Sequence, residues 1–263
     1  MYVEVFKPKG GENLKIYTKN SKTWKTCVAA MANVVDEVGL KLTPEGVKAK
    51  AMDASHVSLV DLDLPANAFD EYDVKTATVL GVNLAELGRV MSRAKPDDEL
   101  TIELDEQTNR LALAFKGASS RKFELPLIDI AETELPEPKL QFTASATISA
   151  GQLQDALKDA ELAGETVRLG LGTEGFAVTT EGDARSAEFA LEKGSEGMVA
   201  HDVKQPAKAM YARANLSNIV KAAAPADTVT IQLGNNLPVQ LDYPVADGKG
   251  RLRFLLAPRI ETE

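Results

Sequence analysis

The sequence predicts an α+β protein of two similar halves, each combining antiparallel sheet with a pair of helices. Three observations predict it. Short alternating strand patterns outnumber helical ones, which argues against a doubly wound parallel sheet. Four apolar stripes recur at three- and four-residue spacing, the signature of amphipathic helices. Unrelated features also repeat at one offset: Gly46 and Gly175, Ile102 and Ile231, and Pro96 and Pro225 each lie 129 residues apart.

Along the chain, Trp24, Cys27, Val28, Met31, Val34, Val35 and Val38 define the first helix face, with Gly39 placed as its C-terminal cap. An alternating strand starts at Leu40 and enters a turn at Pro44–Gly46, and Ser58–Leu64 alternates again. Leu84, Leu87, Val90, Met91 and Ala94 form the second helix, closed by Pro96. Asp98–Leu104 and Arg110–Phe115 are strands around a hairpin turn at Asp105–Asn109. In the second half Leu153, Ala156, Leu157 and Ala160 mark the third helix. A strand through Leu169 and Leu171 runs to Gly175 as Leu40 runs to Gly46. Leu216, Ile219, Val220 and Ala223 mark the fourth helix, and Asp227–Leu233 leads into a turn at Gly234-Asn235-Asn236. Between the halves, Leu125–Pro138 is rich in proline and acid and reads as an extended connector. Its Ile128, Ile130 and Leu135 are more apolar than a free linker needs, so they either pin it to the sheet or edge a groove for a partner. The expected division is an extension over 1–13, a first domain over 14–125, the connector over 126–138 and a second domain over 139–263.

Composition narrows the function. The 263 residues are 44% hydrophobic and 26% charged, suited to a soluble globular protein with a sizeable core. No apolar run approaches the ~18 residues of a membrane span, and Met1–Glu12 lacks a basic-then-apolar leader pattern, so a cytoplasmic location is expected. A single cysteine, Cys27, and two histidines, His56 and His201, leave no internal disulfide and no Cys/His metal site. Asp53, Ser55 and His56 are too close in sequence to converge on one reacting atom, and no nucleotide-binding glycine loop is present. Asp61/Asp63 and Asp97/Asp98 read as solvated acids. No enzyme and no cofactor are expected.

Thirty basic against 39 acidic residues give a net charge of −9, which taken alone argues against nucleic acid. Yet every helix carries a cation opposite its apolar stripe: Lys22 and Lys25, Arg89 and Arg93, Lys158, and Lys221. Solvated surface explains any one of them, and Asp36, Glu86, Asp155, Asp159 and Glu161 share the helices.

Particular residues carry a resemblance. Met52-Asp53-Ala54-Ser55-His56-Val57-Ser58-Leu59-Val60, Gly81-Val82-Asn83-Leu84 and Leu256-Ala257-Pro258-Arg259-Ile260-Glu261 resemble motifs of the proliferating cell nuclear antigen family, the sliding clamps of archaea and eukaryotes. The resemblance runs from about Leu14 to Glu263, and the acidic composition suggests an archaeal member. It implies a head-to-tail homotrimeric ring encircling double-stranded DNA, with helices lining the hole and sheets outside. A subunit of a heterotrimeric clamp is the alternative. The helix cations would then touch phosphates without reading sequence. Thr26, Ala32 and Ser92 stand where relatives often carry basic residues. The resemblance also implies a pocket in which DNA polymerase, clamp loader, flap nuclease and DNA ligase insert a short peptide motif. It would be built from Met52, His56, Val57, Leu135, Pro136, Pro238, Leu255, Ala257, Pro258 and Ile260, with Leu255 where many relatives carry tyrosine. The subunit contact it implies joins a strand bearing Ser119, Arg121, Lys122 and Phe123 to one bearing Asp183, Arg185, Ala187, Glu188 and Phe189. Arg121 and Lys122 would face Asp183 and Glu188. An archaeal clamp of this kind would sit on the nucleoid.

Overall fold

The computed structural model describes residues 14–95, 97–130, 135, 139–222 and 227–259. The expected extension, Pro96, Pro225 and Ala223 lie outside them. The first half runs β1 (Leu14–Thr18), α1 (Lys22–Ala32), β2 (Glu37–Thr43), β3 (Gly46–Met52), β4 (Ser58–Pro65), β5 (Glu71–Val74), β6 (Thr78–Asn83), α2 (Leu84–Ser92), β7 (Glu99–Asp105), β8 (Arg110–Lys116) and β9 (Ser120–Pro126). The second repeats that order as β10 (Ala144–Ser149), α3 (Ala150–Ala160), β11 (Thr166–Gly172), β12 (Gly175–Glu181), β13 (Ser186–Glu192), β14 (Met198–Val203), β15 (Ala207–Ala212), α4 (Arg213–Ala222), β16 (Thr228–Leu233), β17 (Val239–Val245) and β18 (Gly250–Leu256).

The pairing repeats as well. β1 lies between β5 and β7 as β10 lies between β14 and β16, and β2 lies between β3 and β6 as β11 lies between β12 and β15. One join breaks the equivalence of the halves. β18 pairs with β4, from Arg251 opposite Asp63 to Leu256 opposite Ser58, and fuses strands of both halves into one nine-stranded sheet. Their counterparts, β9 and β13, each form an open edge of a smaller sheet.

Alternation explains the strands. In β4, Val60, Leu62 and Leu64 are fully buried while Asp61 and Asp63 point outward. The apolar face of every sheet packs under helices. α1 packs on α2, α3 on α4, and α1 on α4, so the four form one layer in the order α2-α1-α4-α3.

The first helix is shorter than its apolar stripe predicts. It stops at Ala32, and Gly39 lies inside β2 rather than at a cap. Val35 and Val38 are still buried, but from a turn and a strand. β-branched valines favour extended backbone, and the segment finds better partners there: Asp36 O accepts from Leu84 N (2.8 Å), and Glu37–Gly39 pair with Gly81–Asn83. Asp98 departs further from its reading as a solvated acid. It is 2% exposed, accepts from Lys95 N (2.7 Å) and is ion-paired with Arg121. The Lys95 amide, then the Arg121 guanidinium, hold its carboxyl below the usual range against the opposing cost of burial. Asp61 too is largely covered and lies 3.5 Å from Arg251.

Candidate nucleic-acid and partner interfaces

The helix layer displays the cations in unequal settings. Arg89 is 2.8 Å from Glu86, Lys158 is 2.8 Å from Asp155, and Lys221 is 3.3 Å from Glu161. The Asp155 carboxylate holds the Lys158 ammonium above its ordinary pKa. Solvent screens such exposed pairs, so they tether the cations only loosely. Lys25 is half-buried. Its Nζ donates to Ala94 O (2.9 Å) and Ser92 O (3.4 Å), crossing from α1 to the carbonyls that end α2, where the helix dipole favours a cation. Lys22 and Arg93 are exposed and have no acidic partner among the described residues.

On the opposite, outward face, the connector crosses the fused sheet. Ile128 N donates to Gly81 O (3.0 Å) at the edge of β6, and Lys50 Nζ donates to Leu135 O (3.1 Å). The connector is thereby pinned at the sheet edge, where Ile128 and Ile130 line a hollow of about 500 Å³ with Lys41, Val79 and Gly81. A cavity of about 90 Å³ lies between Lys50, Leu59, Leu140, Phe142, Arg253 and Leu255. Met52, Val57, Leu135, Pro238, Leu255, Ala257 and Pro258 are all half-buried around this face, and His56 is exposed. Pro136 and Ile260 lie outside the described residues. Lys50, Leu59, Leu140 and Phe142 were not singled out in the sequence. The apolar Leu140-Gln141-Phe142 just past the connector was the available signal.

The loop carrying His56 is built by Asp53. Its carboxylate accepts from Val57 N (2.9 Å), Ser58 N (2.5 Å) and the Ser55 hydroxyl, while His56 takes the left-handed φ of 59°. Asp53 and Ser55 are thus committed to the turn. Burial tends to raise the Asp53 carboxyl, but these hydrogen bonds outweigh it and hold the group below its usual value. Their support is complete above the unfolded carboxylate pKa of about 3.9 and is lost as pH falls through the lower folded value. The protection of the Val57 and Ser58 amides, relative to their intrinsic exchange at each pH, should therefore fall below about pH 4 while central-sheet amides stay protected.

Comparison with known proteins places this geometry. The family model for the N-terminal domain of proliferating cell nuclear antigen matches residues 14–134, and that for the C-terminal domain matches 136–259. The chain belongs to the proliferating cell nuclear antigen family. A DNA polymerase sliding clamp of Thermococcus fumicolans is 36% identical over 247 residues, covering 94% of this chain and 98% of the relative. The corresponding Pyrococcus furiosus protein is 35% identical over the same length and coverage. Among solved structures, PCNA from Thermococcus kodakaraensis superposes with a TM-score of 0.90 at 29% identity, covering 94% of this chain and 100% of that one. The Entamoeba histolytica protein gives 0.87 at 25% identity, covering 95% and 100%.

In this member of the family, β9 turns Arg121, Phe123 and Leu125 inward and Lys122 and Glu124 outward. β13 likewise turns Ala187, Phe189 and Leu191 inward and Glu188 outward. Ser119 lies in the turn before β9, and Asp183 and Arg185 in the turn before β13. Arg121 does not present a free charge to a neighbour. Its guanidinium pairs with Asp98, donates to Arg93 O (2.7 Å) and lies 5.6 Å from the Phe115 ring.

Proposed function

We propose that the chain is a DNA sliding clamp that acts without chemistry of its own. Three copies would close head to tail, the duplex passing over the helix layer. The observation that carries this reading is that the chain holds the same join once, made, and once, open. β4 and β18 are paired, and their repeats β13 and β9 are bare edges, which a closed assembly removes. Matching the buried positions of the repeats transfers the register: Phe123 answers to Phe254, and Phe189 to Leu62. Arg253 opposite Asp61 then becomes Lys122 opposite Glu188. Phe123 falls opposite Ala187, and Arg121 opposite Phe189.

The groove beneath the connector suits peptides with aromatic and aliphatic anchors, which edge-strand and helical motifs deliver. DNA polymerase, clamp loader, flap nuclease and DNA ligase are the partners of this reading, with the assembly working on the nucleoid in the cytoplasm. The domain division follows the repeat: 14–125 and 139–263, joined by 126–138.

Light scattering on the pure chain, combined with DNA synthesis on primed circular DNA, tests the reading. The expected result is three copies per particle and longer polymerase products. A single chain that leaves product length unchanged would overturn it, and a single chain that trimerises only with a paralogue would make it one subunit of a mixed ring. The groove has its own test. A Cβ on Gly81 would strike the Ile128 carbonyl and come within 3.0 Å of Ile130 Cγ1. Gly81→Ala should lift the connector and weaken an anchor-bearing peptide about tenfold, or about 1.4 kcal/mol, by fluorescence anisotropy, with ring assembly intact.

A further inference from the structure

We infer that the helix layer holds the DNA backbone unevenly, at a basic cluster on one end of the α1–α2 pair, and that the remaining cations serve as self-neutralised guides. The inference rests on the sliding-clamp reading and assigns the phosphate contact within it.

Four observations converge on that end. Lys22 begins α1, and Arg93 follows the last residue of α2. The two helix ends are adjacent, because Lys25 Nζ spans them to the carbonyls of Ser92 and Ala94, on either side of Arg93. Lys22 and Arg93 are exposed and without an acidic partner among the described residues, and exposed Lys95 adds a third charge at the margin. Arg93 is also fixed from behind, since its carbonyl accepts from Arg121 (2.7 Å), whose charge is spent on Asp98. A phosphate arriving here meets three exposed cations, Lys22, Arg93 and Lys95, against one exposed acid, Asp97, on a well-braced backbone.

The remaining cations, Arg89 one turn before Arg93 on α2, Lys158 on α3 and Lys221 on α4, differ in kind. Arg89, Lys158 and Lys221 each lie within 3.3 Å of a carboxylate oxygen. α3 carries Asp155 and Asp159 against Lys158 alone, so its exposed face is net acidic. Affinity for duplex DNA follows the counterions that net charge releases. A cation that brings its own anion releases few. Such pairs keep the polyanion centred without holding it, whereas the α1–α2 cluster grips.

The test uses the full-length chain and a fluorescent 30-base-pair duplex, with binding followed by anisotropy between 50 and 200 mM salt. Lys22→Ala with Arg93→Ala should weaken binding at least tenfold at the lower salt. It should also reduce the log–log salt slope by about two, at about 0.9 per phosphate contact. Arg89→Ala with Lys158→Ala and Lys221→Ala should cost less than threefold. Glu86→Gln with Asp155→Asn should tighten binding and steepen the slope by up to about two. A second set that costs as much as the first, or acid removal without effect, overturns the uneven contact. If removing all five cations leaves binding unchanged, the passage of DNA across this face fails as well. Circular dichroism melts separate these outcomes from unfolding, and glutamine replaces alanine at any position where the melt shifts.

Discussion

Lys122→Glu should break the assembly into single chains, and adding Glu188→Lys should restore it. In the transferred register these two side chains stand directly opposite on the outward face, where Lys122 already pairs with Glu124 (2.8 Å) and would serve both acids. Opposite charges there favour pairing by about 0.2–1 kcal/mol and like charges oppose it comparably, so reversal costs about 1–2 kcal/mol per seam. The loss recurs at every seam of a closed ring, and each 1.4 kcal/mol is a factor of about ten. Light scattering near micromolar concentration should show the parent as three copies, the single variant as one, and the swapped pair as three again. A single variant that stays assembled would sink the register. Arg121 is the wrong residue for this experiment although the sequence pointed to it, because replacing it strands buried Asp98. Its loss would destabilise the domain and confound a broken seam with misfolding.

Gly46→Ala carries the largest expected loss of stability. Gly46 sits at φ +149°, where a side chain is strained, and an added Cβ would strike the Leu64 carbonyl and come within 2.7 Å of Pro65 Cα. Those atoms belong to β4, the strand that joins the halves, so the neighbour cannot yield locally. We expect a loss of about 3 kcal/mol or more, read by urea titration. Gly175, its repeat, has φ +152° and the same collision with Leu191 O, and should behave alike. Gly88 in α2 is the control. Nothing lies within 4 Å of its added Cβ, so Gly88→Ala should stabilise by about 0.5–1 kcal/mol. Equal losses at positions 46 and 88 would refute the steric account.

The 129-residue repeat was legible because it is written in local features. Gly46 and Gly175 serve the same turn, and Ile102 and Ile231 the same buried position. The family was legible in Met52–Val60 and Leu256–Glu261. Pairing between distant strands was not. β4 and β18 have ordinary alternating patterns, and nothing in a period of two names the partner strand. The settings of the charges were hidden for a related reason. Lys22 and Lys25 share a helical stripe, but only the fold brings the carbonyls ending α2 within reach of Lys25. Asp98 resembles a solvated turn acid until Arg121, 23 residues later, folds back onto it. The apolar stripe overextends the first helix because Val35 and Val38 keep helical spacing by coincidence while being buried through other elements, and Val34 is half-buried in the turn after α1.

The unbroken hydrogen-bonded ladder through β4 and β18 also governs mechanics. A tether alone would let the two halves of a chain swivel; a shared sheet makes each chain stiff. To admit a closed circle of DNA, such a necklace cannot bend at its connectors without tearing a ladder inside one chain. In the proposed ring the gap would start where β9 meets β13, the one kind of join there not backed by a covalent link. On that reading, gatekeeping would be concentrated at the proposed seam, which the Lys122→Glu experiment probes directly.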